Sequence, residues 1–235
     1  MIPMTPRLLR VALVVLLVLA GVVGAPSNTS AADVRSAAAA LFSRGAWSGV
    51  QPGDLNPQVL DLALEAAETA VERGQVPTPA TLTVIDYSKP STAKRLWVFD
   101  VRSHALLFEE LVAHGRGSGT RMATAFSNAA ESDMSSLGLF RTAETYSGHN
   151  GYSLRLDGLE PGVNDHARAR DIVVHGAWYV SAAIAKTQGY IGRSLGCPAV
   201  RPDVAHALID AIKGGGLLFA YYPDPAWLRT STLLN

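Results

Sequence analysis

The pattern that most constrains the fold is a succession of β-like segments that begins just after residue 80. These segments are short, apolar and rich in Val, Ile, Leu and aromatic residues, as expected of buried strands. They cover residues 82–87, 95–101, 106–113, 172–175 and 217–222. Residues 102–105 have the polar character of a hairpin turn between the second and third segments. The sequence therefore predicts a mainly β fold with helices, of the α+β class.

Helical patterns lie before and between these strands. Asn56 can cap a helix that begins at Pro57 and ends at Gly74, because Asn is favoured at the N-cap and Pro at the first helical position. Apolar residues recur at helical spacing within this segment, at Val59, Leu60, Leu64, Ala67 and Val71. Residues 31–44 and 202–213 are also predicted to be helical. Residues 45–53 are predicted to be a loop, and residues 115–169 irregular loops with short strands such as 152–156.

The N-terminus has the features of an export signal. Arg7 and Arg10 precede an apolar run over residues 11–23, which is shorter than the roughly 20 residues of a membrane-spanning helix. Small residues follow, as at a cleavage site. We predict a signal peptide over residues 1–25, a helical N-terminal extension over 26–79 and a main domain over 80–235. An uncleaved anchor is the alternative, and both predict an exported protein of the periplasm or cell wall.

Composition excludes some classes of partner and draws attention to one side chain. Lys plus Arg and Asp plus Glu both number 20, so the net charge is zero, and no basic stripe predicts nucleic-acid binding. Cys197 is the only cysteine, so the chain has no internal disulfide. A lone cysteine in an exported protein is a buried bystander, a partner in an intermolecular disulfide or a reactive thiol.

The residues around Cys197 favour a reactive thiol. Gly196 precedes it, and glycine lets the backbone approach a substrate closely. Backbone N–H groups at such a turn can stabilise an oxyanion. Arg193 and Arg201 supply positive charge nearby, which favours a thiolate.

A thiol nucleophile also requires a base, and the sequence offers one preferred histidine. His175 ends an apolar segment and is followed by Gly176, so its ring can emerge at a sheet edge. His114, which precedes Gly115, is the one serious rival. The remaining histidines lie in a predicted turn, in polar loops or within a helix.

Several motifs in order resemble one known family. Residues 82–222 are similar to the YkuD-type L,D-transpeptidase catalytic domain, in its murein L,D-transpeptidase branch. The matching segments are residues 84–88, 114–119, 126–128, 151–154, 175–180 and 192–200. The main YkuD pattern has histidine where Leu195 stands, and it has an arginine closer to the cysteine than Arg201.

The resemblance implies a YkuD-type β-sandwich or mixed-sheet fold over residues 80–235 and acyl transfer on peptidoglycan stem peptides. Cys197 would form a thioester, His175 would act as the base, and the Gly176 carbonyl would orient it. The N–H groups of Gly196 and Cys197 would bind the oxyanion. Carbapenem-like β-lactams are implied as covalent inhibitors, and no cofactor or metal is implied. Substrate-lining roles are predicted for His114, Tyr179, Arg193, Ser194 and Arg201.

Other functions stay open at this point. With water as the acceptor, the same site would be an L,D-carboxypeptidase or a hydrolase of cross-links. A non-catalytic cell-wall binding module would keep the fold without needing the thiol. A sortase is disfavoured by the Ser-Leu-Gly that precedes Cys197, and an NlpC/P60-type peptidase by the order of His and Cys. A zinc hydrolase using His149, His166 and His175 lacks supporting spacing.

Overall fold

A computed structural model describes residues 30–235 of the chain. The predicted signal peptide lies outside this range, so it stays a prediction. Within the described range, no helix combines the length and apolarity needed to cross a bilayer.

The core of the protein is one mixed sheet of eight strands. The strands are β1 (Thr81–Asp86), β2 (Leu96–Asp100), β3 (Leu106–Glu110), β4 (Gly138–Gly148), β5 (Gly151–Gly158), β6 (Val173–Gly176), β7 (Ala199–Val200) and β8 (Leu217–Tyr221). Their order across the sheet is β3-β2-β1-β8-β4-β5-β6-β7. The pairs β1–β8 and β6–β7 are parallel, and the other neighbours are antiparallel. The predicted mainly β, mixed-sheet class is confirmed.

Backbone hydrogen bonds connect the two edges of this sheet, at β3 and β7, through the segment that follows β3. Beyond β3, the N–H of Ala113 donates to the carbonyl of Ala199 at 2.8 Å, and the carbonyl of His114 accepts from Ser194 N–H at 3.0 Å. Arg116 N–H donates back to the Ser194 carbonyl at 2.8 Å. The sheet is therefore nearly closed into a barrel, and residues 194–199 form its seam.

Six α-helices surround the sheet in the described part of the chain. They are α1 (Ala31–Phe42), α2 (Arg44–Trp47), α3 (Pro57–Glu72), α4 (Ala182–Gln188), α5 (Pro202–Ile212) and α6 (Pro225–Thr230). The Asn56 side chain accepts a hydrogen bond from Gln58 N–H at 2.9 Å, as expected of an N-cap. The apolar face of α3 is buried in the same core as the strands. The helical extension thus packs on the sheet, while the boundary at residue 79 stays a prediction.

The structure confirms the strands predicted from the apolar segments, which are β1, β2, β3, β6 and β8, and the predicted helices α1, α3 and α5. The predicted strand over residues 152–156 is confirmed as part of β5, but two predictions for loops are wrong in part. Residues 45–53 begin within α2, and residues 115–169 contain β4 and β5, an antiparallel hairpin of 11 and 8 residues. The exposed half of β4 carries polar residues, so its strand character comes from backbone pairing with β5 and β8 rather than from an apolar run. The helices α4 and α6 were not predicted.

Candidate active site

The turn that carries Cys197 is held by short polar contacts. The Ser194 hydroxyl donates to the Cys197 carbonyl at 2.6 Å and accepts from Gly196 N–H at 3.1 Å. The Gly196 carbonyl accepts from the Ser135 hydroxyl at 3.0 Å. These bonds fix the backbone on both sides of the nucleophile candidate.

Glycine is required at position 196 for two reasons. Its φ of +128° is a conformation that L side chains rarely adopt. A Cβ at this position would lie 2.9 Å from both Ile172 Cδ1 and the Met134 carbonyl oxygen. The turn can therefore pack this closely only with glycine before the cysteine.

The Cys197 thiol is half-buried and contacts the backbone that leads into β6. Val173 N–H donates to Sγ at 3.4 Å, and Sγ lies 3.5 Å from the Asp171 carbonyl oxygen, which can accept the thiol proton. Burial raises the pKa of the Cys197 thiol, while the Val173 N–H and the charge of Arg170 act in the opposite direction. With its pKa raised, the thiol is mostly protonated near neutral pH.

His175 lies on β6, next to β7, in register with Ala199. Its Nδ1 is 3.0 Å from the Gly176 carbonyl oxygen. Because a carbonyl oxygen only accepts hydrogen bonds, Nδ1 carries the proton and Nε2 has the free lone pair of a neutral imidazole. Burial lowers the pKa of His175, and the Gly176 carbonyl opposes this in part. The ring is thus neutral near pH 7 and able to accept a proton at Nε2.

Cys197 and His175 line one surface cavity of about 410 Å³. Within residues 30–235 no hydrogen bond joins the thiol to the imidazole, so the shared cavity is what brings them together. The other lining residues are His149, Asn150, Arg170, Asp171, Tyr179, Arg193, Ser194 and Leu195. This cavity is the candidate active site.

Three of the predicted substrate-lining residues, Tyr179, Arg193 and Ser194, face this cavity. Burial and the neighbouring Cys197 raise the pKa of Tyr179 to about 12, so it is a neutral hydroxyl. Arg193 donates to the Gly119 carbonyl at 3.1 Å. Of the two N–H groups predicted for an oxyanion, that of Gly196 already donates to Ser194. In the described part of the chain, the Cys197 N–H donates to no other residue.

The other two predicted lining residues, His114 and Arg201, lie outside the cavity. His114 is fully buried, and its Nδ1 accepts from Arg95 at 2.7 Å. Burial and the Arg95 charge lower the pKa of His114 to about 4, so it is neutral but inaccessible to a substrate. Arg201 forms ion pairs with Glu110 at 2.8 Å and Asp203 at 2.6 Å. Neither side chain is therefore among the residues that line the cavity of Cys197.

Sequence reasoning missed four residues of the cavity. His149 and Asn150 form the tip of the β4–β5 hairpin, and Arg170 and Asp171 precede β6. The sequence signal for the second pair is a charged run, Arg168 to Asp171, immediately before an apolar strand. The signal for the first pair is that the polar dipeptide His149-Asn150 lies between two glycines, Gly148 and Gly151, as is typical of a hairpin turn.

A metal centre finds no support in the described residues. No group of three or more His, Cys, Asp or Glu side chains within residues 30–235 is arranged to hold an ion. The zinc alternative fails on geometry, because His149 and His175 line the cavity while His166 Nδ1 faces the Asn128 carbonyl at 3.2 Å.

Comparison with known proteins identifies the family. A family model described as L,D-transpeptidase catalytic domain matches residues 51–221, which is more than half of the chain. The chain therefore belongs to the L,D-transpeptidase catalytic domain family, a family of acyltransferase enzymes. No curated protein sequence matches the chain.

Solved structures with this description are distant in sequence. An L,D-transpeptidase from Mycobacterium smegmatis is 14% identical, with 61% of this chain and 59% of that chain covered, at a TM-score of 0.37. The transpeptidase LdtMt1, in complex with imipenem, is 16% identical with the same coverage and a TM-score of 0.37. An L,D-transpeptidase from Stackebrandtia nassauensis is 15% identical, with 80% and 78% covered, at a TM-score of 0.38. This chain thus covers about three fifths of the length of the first two.

Proposed function

We propose that this protein is a peptidoglycan L,D-transpeptidase that uses Cys197 as its nucleophile and acts outside the cytoplasm. The substrate is a tetrapeptide stem, and the product is a cross-link between two stems. The observation that carries the proposal is the state of His175, a neutral imidazole whose Nε2 has no hydrogen-bond partner within residues 30–235 and whose side chain lines the same cavity as the only cysteine. Membership of the family supports the reaction class.

In the acylation step, the Cys197 sulfur attacks the carbonyl of the third stem residue while His175 Nε2 takes the thiol proton. The peptide bond to the terminal D-residue then breaks, and the proton passes from His175 to the leaving amine. The remaining acyl group is a thioester on Cys197. The Cys197 N–H, which donates to no other residue within residues 30–235, is free to donate to the developing oxyanion.

In the second step, an amine of a neighbouring stem attacks the thioester carbonyl. His175 accepts the amine proton and returns a proton to the departing sulfur, so an amide forms and the thiol is restored. The same thioester would give an L,D-carboxypeptidase if water took the place of the amine.

The charge states of the two groups support proton transfer during the attack. Burial raises the pKa of the thiol and lowers that of the imidazole. Both shifts disfavour a resting thiolate–imidazolium pair. We therefore infer a neutral resting pair, with His175 acting as a general base.

The test is to incubate the protein lacking residues 1–25 with purified tetrapeptide muropeptides and to identify the products by mass. New dimers that depend on Cys197 support the transpeptidase. Tripeptide monomers alone would assign an L,D-carboxypeptidase, and loss of existing dimers a cross-link hydrolase. The Cys197→Ala variant is the control: cross-linking that survives in it contradicts the proposal. Peptidoglycan binding without any product would indicate a non-catalytic wall-binding module.

A further inference from the structure

Arg170 is an arginine of the candidate site that lacks a carboxylate partner. Its guanidinium donates four hydrogen bonds, all to neutral groups. They go to the Ser127 carbonyl at 2.8 Å, the Ser136 hydroxyl at 2.6 Å, the Ser132 hydroxyl at 3.1 Å and the Met134 carbonyl at 2.7 Å. Among the ion pairs of the described residues, none involves Arg170. Its orientation is thus fixed, and within residues 30–235 no carboxylate lies within ion-pair distance of it, although Glu131, Asp133 and Asp171 line a neighbouring cavity with it.

The guanidinium of Arg170 lies next to the turn that carries Cys197. A Cβ built at Gly196 would lie 3.5 Å from Arg170 Nη2, so the guanidinium packs against the residue before Cys197. The backbone that follows Arg170 contacts the sulfur. The Asp171 carbonyl oxygen lies 3.5 Å from Cys197 Sγ, and the Val173 N–H donates to Sγ at 3.4 Å. Arg170 also lines the cavity of Cys197.

We propose that Arg170 is the positioning residue that stabilises the Cys197 thiolate by its charge, in the role that the sequence suggested for Arg193 and Arg201. Arg201 is already neutralised by Glu110 and Asp203. Arg193 is exposed, so water and salt screen its charge. Of these three arginines, Arg170 alone combines partial burial, a fixed guanidinium and the absence of an ion pair within residues 30–235.

The electrostatic coupling is reciprocal, as it must be for two interacting groups. The Arg170 charge lowers the pKa of the thiol against the larger effect of burial, and Cys197 raises the pKa of Arg170 against burial. Other ionisable groups face Cys197 from the cavity walls and from behind the turn. They are His149, Asp171, His175, Tyr179, Arg193 and Tyr87. Of these, Asp171 acts against the thiolate, which makes an opposing cation more necessary.

The proposal rests on the proposed function for the use of the thiolate, but its test requires no substrate. Because Cys197 is the only cysteine, the rate of alkylation of the intact protein by iodoacetamide reports on this thiol alone. The midpoint of that rate against pH gives the thiol pKa. Arg170→Gln should raise the midpoint by about one pH unit and slow alkylation at neutral pH about tenfold. Arg170→Lys keeps the positive charge, so its midpoint should rise by no more than half of the rise seen in Arg170→Gln.

The matched control is Arg168→Gln, in the same loop. Arg168 pairs with Glu144 and Asp157 on the surface, and it does not line the cavity. Its midpoint should equal that of the wild type. An unchanged midpoint in Arg170→Gln, or equal shifts in the Gln and Lys variants, would overturn the proposal, because equal shifts would assign the effect to the lost hydrogen bonds.

A second variant covers the case in which Arg170→Gln does not fold. Ser132→Asp places a carboxylate on the guanidinium without removing Arg170, and Ser132 does not line the cavity of Cys197. The midpoint should rise in Ser132→Asp and stay unchanged in the neutral Ser132→Asn. Equal midpoints in Ser132→Asp and Ser132→Asn would overturn the proposal. If the thiol titrates as expected but no muropeptide product forms, the proposed function fails and this inference stands.

Discussion

At Cys197 the protein interior and the local charges act on one sulfur in opposite directions. Burial favours the neutral thiol, and Arg170 together with the Val173 N–H favours the thiolate. A thiol held between these effects is protected from premature oxidation yet needs only a modest base to react. The neutral His175, with Nε2 free, is a base of this kind.

The first prediction concerns the pH dependence of acylation. Because burial lowers the pKa of His175, the imidazole loses its proton at a lower pH than an ordinary histidine. The acylation rate should therefore rise with pH through a midpoint below the usual histidine value, and then level off. In His175→Ala this limb should disappear, and the rate at neutral pH should fall about 10²- to 10⁴-fold.

The measurement is the rate of acyl-enzyme formation from a tetrapeptide donor, followed by intact mass across pH. His166→Ala is a suitable control because His166 is exposed and lies outside the cavity. A pH profile in His175→Ala that matches the wild type would exclude His175 as the base.

The second prediction is covalent capture by a carbapenem. The strained β-lactam carbonyl presents an acyl group to the same nucleophile, so one equivalent should add to Cys197 and open the ring. Intact mass should increase by the mass of one drug molecule. Cys197→Ser should give no comparable adduct on the same timescale, and failure of the wild type to react would contradict an accessible thiol.

The third prediction tests the glycine before the nucleophile. Gly196→Ala combines a φ of +128° with contacts of 2.9 Å to Ile172 and Met134. Strain and overpacking of this kind cost about 1–3 kcal/mol each. The variant should lose stability in thermal unfolding and lose nearly all activity. Gly189→Ala, which adds a Cβ in open space at a similarly left-handed residue, should retain activity.

At this scale the sequence predicted the residue types but not all of their neighbours. Cys197 and His175 stood out because each adjoins a glycine at the edge of a recognisable element. Arg170 did not, because its partners lie 34 to 43 positions away, at residues 127–136. No local spacing indicates that a loop of serines will hold an arginine against the cysteine turn. His114 shows the converse, since its motif suggested exposure and the fold buries it against Arg95.

At the scale of elements, α3 is predicted well by local sequence signals and the β4–β5 hairpin is predicted poorly. The helix α3 has a cap, a first-turn proline and an apolar face, so its local signals agree with its packing. The hairpin is defined by its partners: β4 pairs with β8 on one side and with β5 on the other. Its tip, with Gly151 at a φ of +72°, then brings His149 and Asn150 to the cavity.

The fourth prediction measures the contribution of the α3 cap. Asn56→Ala removes the acceptor of the Gln58 N–H bond, which should lower the free energy of unfolding by about 1 kcal/mol. Asn56→Asp, which keeps an acceptor oxygen, should be close to the wild type. Chemical denaturation with an unchanged m-value is the measurement. An equal loss in both variants would mean that the cap does not stabilise the helix.

On the scale of the whole molecule, the helical extension and the sheet share one hydrophobic core. Eight residues of α3 are buried there, among them Leu60, Leu64 and Val71. Burial of a single Leu or Val side chain contributes about 1.5–3 kcal/mol. Removal of α3 would therefore expose more apolar surface than the marginal stability of a domain tolerates.

The fifth prediction follows from this shared core. A chain that begins at residue 80 should lack a cooperative thermal transition, whereas a chain that begins at residue 51 keeps α3 and should unfold cooperatively. Calorimetry of the two chains beside the chain from residue 30 makes the comparison. Cooperative unfolding of the chain from residue 80 at an unchanged temperature would show that residue 79 is a true domain boundary.

The parallel pairing of β1 with β8 has a consequence for how the protein is made. Leu82 pairs with Leu217, so the centre of the sheet joins segments that emerge from the ribosome at opposite stages of synthesis. Until β8 has been translated, β1 and β4 lack the strand that lies between them. The sheet is thus expected to complete its central pairing only after β8 has emerged from the ribosome, so folding of the core waits for nearly all of the residues that build it.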